Sequence, residues 1–267
     1  MRTTFVLCSA AVAWAAGAAQ AAPFWPEGDV DGAVTLVTMW GPEYLGASKR
    51  GLSLRPGFYL RWGRVSLSSG GGWATPRRDD DIRGLGLELS RSERHRISLG
   101  LRFDSGRRES SSDALAGMGD VKRTVRARLS ASWKPSTAWE LRAAWTVDAF
   151  GRGGGNLVEA KAEHDWPLNA TWHLNSGAQL TLGGPQYMQT YFGVTGEQSA
   201  RSGYREFDPG TSLRDLTLYA TVRADFSEDW VATAGLGWTR VLGDAARSPL
   251  TQRKSYGSAS AGVGWRF

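Results

Sequence analysis

Ser258-Ala259-Ser260-Ala261-Gly262-Val263-Gly264-Trp265-Arg266-Phe267 closes the chain. Alternate positions read back from Phe267 are Trp265, Val263, Ala261 and Ala259, with Arg266, Gly264, Gly262, Ser260 and Ser258 between them. Successive side chains of a strand point to opposite faces, so this period of two with a terminal aromatic describes a strand with one apolar face. Two kinds of fold use such a strand. In a soluble domain it is an amphipathic edge; in a membrane barrel its apolar face turns outward to lipid.

The beginning of the chain favours the second kind. Arg2 precedes an apolar run from Phe5 to Ala18, followed by Ala19-Gln20-Ala21. That order is a charged n-region, an h-region and a small-residue cleavage site, so residues 1–21 are expected to be a signal peptide cleaved near Ala21. The run is too short for a membrane-spanning helix. Cys8 is the only cysteine and lies within it, in a poor lipobox, so neither a lipoprotein nor a disulfide framework is expected. The same count removes zinc fingers, iron–sulfur clusters and thiol catalysis. With an exported chain, the terminal aromatic resembles the closing strand of bacterial outer-membrane barrels. Trp265 and Phe267 then form the signal read by the barrel-assembly machinery.

Composition agrees. Mean hydropathy is -0.34, as for a soluble protein. A barrel gives the same value because only every second strand residue meets lipid. The net charge of +6 is spread over many segments, which argues against a nucleic-acid partner.

Alternation recurs along the chain. Ile97, Leu99, Leu101 and Phe103 alternate with Arg96, Ser98, Gly100, Arg102 and Asp104. Leu216, Leu218, Ala220, Val222, Ala224 and Phe226 alternate with Asp215, Thr217, Tyr219, Thr221, Arg223 and Asp225. A helical period would mix these faces within a few residues. Candidate strands fall at 31–40, 52–62, 64–75, 82–90, 94–104, 121–134, 138–149, 156–166, 170–183, 212–226, 229–242 and 254–267. The first, third and fourth are weakly patterned, so twelve strands is the expectation and ten the alternative. Connections alternate between short turns, such as Trp62-Gly63-Arg64, and longer segments at 41–51, 76–81, 105–120, 150–155, 184–211 and 243–253. The predicted fold is therefore an all-β, antiparallel transmembrane barrel over 22–267, with short periplasmic turns and long outer loops. Trp62, Trp133, Trp139, Trp166, Trp172, Trp230 and Trp265 all lie at short-turn ends, where an amphipathic indole suits the headgroup level.

Four segments carry a family resemblance: YMQTYFGVT at 187–195, GMGDV at 117–121, PEYLGAS at 42–48 and LGDAARSPL at 242–250. In this order they resemble the MipA/OmpV family of outer-membrane proteins, from about residue 30 to Phe267. The resemblance implies a barrel in the outer membrane of a Gram-negative bacterium. It also implies a scaffolding role that brings a lytic transglycosylase together with a bifunctional penicillin-binding protein. Other members are treated as adhesion, permeability or stress-response proteins. The resemblance brings no catalytic motif and no cofactor.

The residues themselves offer little catalysis. His164 and Ser176 both face outward, as a lipid-face nucleophile and base would. A diagonal cross-strand placement puts them about 7–8 Å apart, and a third residue to orient the histidine is lacking. His95, His164 and His173 are too scattered for a metal site. Asp79-Asp80-Asp81 follows Arg77-Arg78 and reads as a self-paired loop rather than a calcium site.

The lumen is the remaining candidate. Inward positions include Arg102, Arg126, Arg128, Arg142 and Arg223, interleaved with Glu88, Asp104, Glu140, Glu159, Glu163 and Asp225. Twelve strands lie between barrels filled by side chains and barrels that leave a channel. A lumen closed by paired charges is the favoured expectation; a narrow channel with an arginine wall is the alternative. The 184–211 segment is too long for a passive hairpin. Tyr187, Met188, Gln189, Thr190, Tyr191 and Phe192 are expected to pack over the barrel mouth as an extension of the flanking strands. Arg240 falls in an outward frame about ten residues above Trp230, where a tilted strand emerges from the bilayer. It is expected to meet lipopolysaccharide phosphates at the outer rim.

Overall fold

The computed structural model describes residues 30–75 and 83–267. The expected leader with Cys8, and Asp79-Asp80-Asp81, lie outside the described residues. Twelve strands form in chain order: β1 Val30–Pro42, β2 Arg50–Trp62, β3 Val65–Ser68, β4 Gly84–Arg91, β5 His95–Asp104 and β6 Thr124–Trp133. They continue as β7 Trp139–Asp148, β8 Asn156–Pro167, β9 Trp172–Gly183, β10 Ser212–Asp225, β11 Trp230–Val241 and β12 Ser255–Arg266. Each pairs antiparallel with its chain neighbours, and β12 returns to β1, so the sheet is a closed barrel. Closure satisfies the backbone groups that an open edge would leave bare in lipid.

The last residue takes part in that closure. Gly32 N donates to Phe267 O at 2.9 Å, and Phe267 N donates to Gly32 O at 3.1 Å. The Phe267 ring occupies the place a β-carbon on Gly32 would need, and it tilts against Trp265 with centroids 5.1 Å apart.

The burial pattern is inside out. Leu218 is 43% exposed, whereas Arg126 is 2% exposed. A soluble domain hides its leucines, so an apolar exterior of this extent is a surface made for lipid. The seven turn-end tryptophans are all on that exterior. No described helix is long and apolar enough to cross a membrane; the strands supply the apolar belt.

Two expectations are corrected. The strand expected over 64–75 ends at Ser68, and the chain turns into the lumen as a 3-10 turn, Gly72–Ala74. Gly70 has φ +116°, and a β-carbon on Gly71 would lie 2.7 Å from the Phe58 carbonyl carbon, so glycines let the chain leave the wall. As a result β2 pairs with β3 only from Tyr59 to Trp62. Pro56 sits in the stretch of β2 that, among the described residues, has no strand on that side, and proline in sheets is confined to such edges.

The second correction concerns 184–211, which does not extend the flanking strands. It forms α1 (Pro185–Phe192) and α2 (Gly196–Ser202). Pro185 begins α1, where its missing N–H removes no helical bond. Thr195 and Gln198 make a capping box for α2, and Gly203 ends it at φ +77°. A short α3 (Gly243–Arg247) follows β11.

Candidate functional site: the lumen and its two closures

At the outer mouth, α1 lies inward. Tyr187, Met188 and Phe192 are buried against Val241, Ala245 and Tyr256, with Leu45 and Leu157 beside them. Gly155 has φ +58° and meets the Tyr187 backbone so closely that a β-carbon would collide. Thr190 Oγ1 donates to Gly153 O at 2.6 Å, Arg107 Nη1 to Tyr191 O at 2.8 Å, and Ser248 Oγ to Phe192 O at 2.6 Å. Gln189 packs under Gly193, where no β-carbon would fit. Met118, Val194 and Leu250 form a second small core above. The four motif segments thus converge in space on one cap. Their apolar residues are its core, which makes them structural. Burial pushes the Tyr44 phenol up to about 12, and it raises Tyr191 as well, so both stay neutral hydrogen-bonding groups. Burial also lowers Arg107, whose guanidinium lies 5.7 Å from the centre of the Tyr191 ring.

At the periplasmic end the Gly72–Ala74 turn enters the lumen and packs against the wall formed by β10, β11, β12 and β1. Ala74 is packed with Ala33 and Val231, with Trp73 beside them. Room exists because the inner face of β12 carries glycine: β-carbons at Gly262 and Gly264 would lie 3.3 Å from the Trp73 ring and 2.7 Å from Ala74 Cβ. Arg223 clamps the turn. Its Nη1 donates to Trp73 O at 2.5 Å and Thr75 O at 3.1 Å, and its Nη2 to Ala74 O at 3.4 Å. Asp225 holds the guanidinium at 2.8 Å and also binds Arg266 at 2.8 Å.

Between the closures lies a cavity of about 510 Å³, from Tyr187 and Tyr191 down to Arg142 and Lys161. The structure places Arg102, Arg126, Arg128 and Arg142 along it, and Arg223 in the clamp below. Most of the charges cross-pair. Arg126 binds Asp104, and Arg128 binds Glu159. Arg142 reaches Glu140 at 2.6 Å and Glu163 at 3.6 Å, and Lys161 reaches Glu163 at 2.9 Å. Tyr219 donates to Glu163 at 2.6 Å. Sequence periodicity missed Arg214, which lines the cavity, pairs with Asp215 and donates to Tyr187 Oη at 2.9 Å. The pairing of β10 with β9 slips between Leu213 and Asp215, so strict alternation fails there. Arg83, just before β4, was also missed.

The remaining candidates separate. His164 and Ser176 are directly opposite rather than diagonal. Ser176 Oγ accepts from Trp166 Nε1 at 3.1 Å, and His164 is wedged between Trp139 and Trp166, at centroid distances of 4.8 and 4.0 Å. The histidine therefore belongs to the aromatic girdle. Among the described residues no cluster of three or more His, Cys, Asp or Glu is placed to hold a metal. Arg240 sits at the outer end of β11, exposed, opposite Leu216 and Ser255.

A closed antiparallel barrel with a lipid-compatible exterior, a tryptophan girdle and an ion-paired lumen defines the class: an outer-membrane β-barrel protein. The family model described as MltA-interacting protein MipA matches residues 34–267, and the chain belongs to that family. The MltA-interacting proteins of Escherichia coli (strain K12) and Shigella flexneri are each 29% identical to it over 101 residues, 36% of this chain. The chain spans about 40% of the length of these curated relatives. Among solved structures, the NanC porin is similar with a TM-score of 0.42 and 8% identity, over 90% of this chain and 100% of that one. The translocator domain of the autotransporter NalP from Neisseria meningitidis has a TM-score of 0.43 and 11% identity, over 90% of each chain.

Proposed function

We propose that this barrel is a non-catalytic scaffold of the cell envelope that holds murein-processing enzymes at the inner surface of the outer membrane. The observation carrying this reading is the lumen turn Gly72–Ala74, clamped by Arg223 beneath a cavity that α1 covers. A passage narrowed at two levels suits a barrel that anchors rather than conducts. The name of the curated relatives, MltA-interacting protein, supplies the partner class. A lytic transglycosylase would dock on the short periplasmic turns, with a bifunctional penicillin-binding protein recruited beside it.

The leader is removed near Ala21, and residues 22–267 make the barrel. Trp265 and Phe267 are presented to the barrel-assembly machinery, and Arg240 meets lipopolysaccharide phosphates at the outer rim.

The test is a pull-down from detergent-solubilised envelope run beside conductance in planar bilayers. The scaffold reading expects saturable capture of a lytic transglycosylase and conductance close to the lipid baseline. Stable open-channel steps without capture would replace it by the second reading, a narrow channel for small solutes, which the arginine-rich cavity favours.

A further inference from the structure

Among the described residues, seven cationic side chains line the 510 Å³ cavity against two carboxylates, Asp104 and Glu159. Both carboxylates are already engaged. Asp104 accepts from Arg126 and, at 2.9 Å, from Gly106 N; Glu159 accepts from Arg128 and, at 3.0 Å, from Gln179 Nε2. Glu140, Glu163 and Asp215, just beyond the lining, take up Arg142, Lys161 and Arg214. Two guanidinium groups remain, Arg83 and Arg102, with no ion pair among the described residues, and both are solvent-accessible. Arg102 also stands directly across the β5–β6 pair from Arg126. Like charges in that position destabilise a sheet. Arg128 adds a buried Nε that has no acceptor among the described residues.

A structural lumen would pair its charges, as most of this one does. A cationic surplus in a confined cleft with low-dielectric walls, as the described residues form here, focuses the field and concentrates anions. We infer that the cavity is a binding site for a compact dianion, a dicarboxylate or a phosphate compound, held by Arg83 and Arg102. Guanidinium groups bind both chemistries through paired N–H donors. The volume lies within the range of small-molecule pockets, so a compact dianion fits with water beside it. Tyr187 and Tyr191 form the roof, so occupancy is coupled to the packing of α1. This site is independent of the scaffold reading, since it requires neither a periplasmic partner nor conduction.

The test uses the whole barrel refolded in detergent and titrated calorimetrically with succinate in one arm and pyrophosphate in the other. Succinamide serves as the uncharged control. Saturable one-to-one binding by at least one dianion, weakened by added salt and absent for succinamide, is expected; the arm that responds identifies the chemistry. Arg102→Gln and Arg83→Gln should each weaken it about tenfold or more, the worth of one charge-assisted contact. Arg253→Gln, on the exposed outer loop, should leave it unchanged. Heat-modifiable gel mobility checks folding of each variant. Should Arg102→Gln fail to fold, Arg102→Lys keeps the charge but loses the planar fork, and the same weakening is expected. No saturable binding in either arm, unchanged affinity in the Arg83 and Arg102 variants, or an equal loss in Arg253→Gln would overturn the inference.

Discussion

Arg223→Met should release the turn from the lumen. Arg223 is 8% exposed and gives three donor contacts to the carbonyls of Trp73, Ala74 and Thr75, at 2.5, 3.4 and 3.1 Å. The shortest two are strong by geometry; the third is marginal. A hydrogen bond to a charged donor is worth roughly 1.5–3 kcal/mol, so two give about 3 kcal/mol at the low end. Methionine keeps most of the side-chain volume, and Asp225 retains Arg266, so the barrel wall should survive. A loss of about 3 kcal/mol raises the released population on the order of a hundredfold. Thr75→Cys gives the readout. Thr75 is 3% exposed, and a chain expressed from Ala22 carries no other cysteine. The thiol should react slowly with a water-soluble maleimide in the parent and on the order of a hundredfold faster with Arg223→Met. Bilayer conductance should rise in parallel. Equal labelling rates in the two backgrounds, with both variants folded, would refute the clamp.

Leu218→Arg should destabilise the barrel by roughly 2–4 kcal/mol if position 218 is near the bilayer midplane, whereas Thr217→Arg, on the lumen side beside Thr239, should cost much less; denaturant unfolding in vesicles distinguishes them, and equal costs would contradict the facing. Gly32→Val should reduce the yield of heat-modifiable barrel, because its side chain takes the space of the Phe267 ring, while Gly51→Ala, with open space around it, should assemble normally. Alkaline titration should loosen the outer cap before the wall. A folded phenol held above its ordinary value favours the protonated state, so the contributions of Tyr44 and Tyr191 are complete below pH about 10. They are lost as pH rises towards the folded value, about 12 for Tyr44; proteolysis at 187–195 that begins only above pH about 10 is the expected sign.

Strand identity and facing were legible in the sequence because both depend on a period of two, which needs no knowledge of neighbours. Leu218 outward and Thr217 inward follow from counting alone, and so does the placement of Trp230 and Trp265 at the turn ends. Even the closing role of Phe267 is visible in its position on the last alternating strand. Where local chemistry competes with alternation, the linear pattern misleads. Ser69-Gly70-Gly71-Gly72-Trp73 prolongs an apparent strand, yet the glycines on β12, far along the chain, make a space that draws Trp73 inside. Arg214 is turned into the cavity by a slip in pairing that depends on β9. The surplus of Arg83 and Arg102 is likewise invisible in a list of inward charges, where both signs look balanced. It exists only because Asp104 and Glu159 are committed to Arg126 and Arg128, choices made by distance across the closed barrel. Periodicity along the chain determines which face a residue takes; only closure of the sheet decides which residues that face brings together.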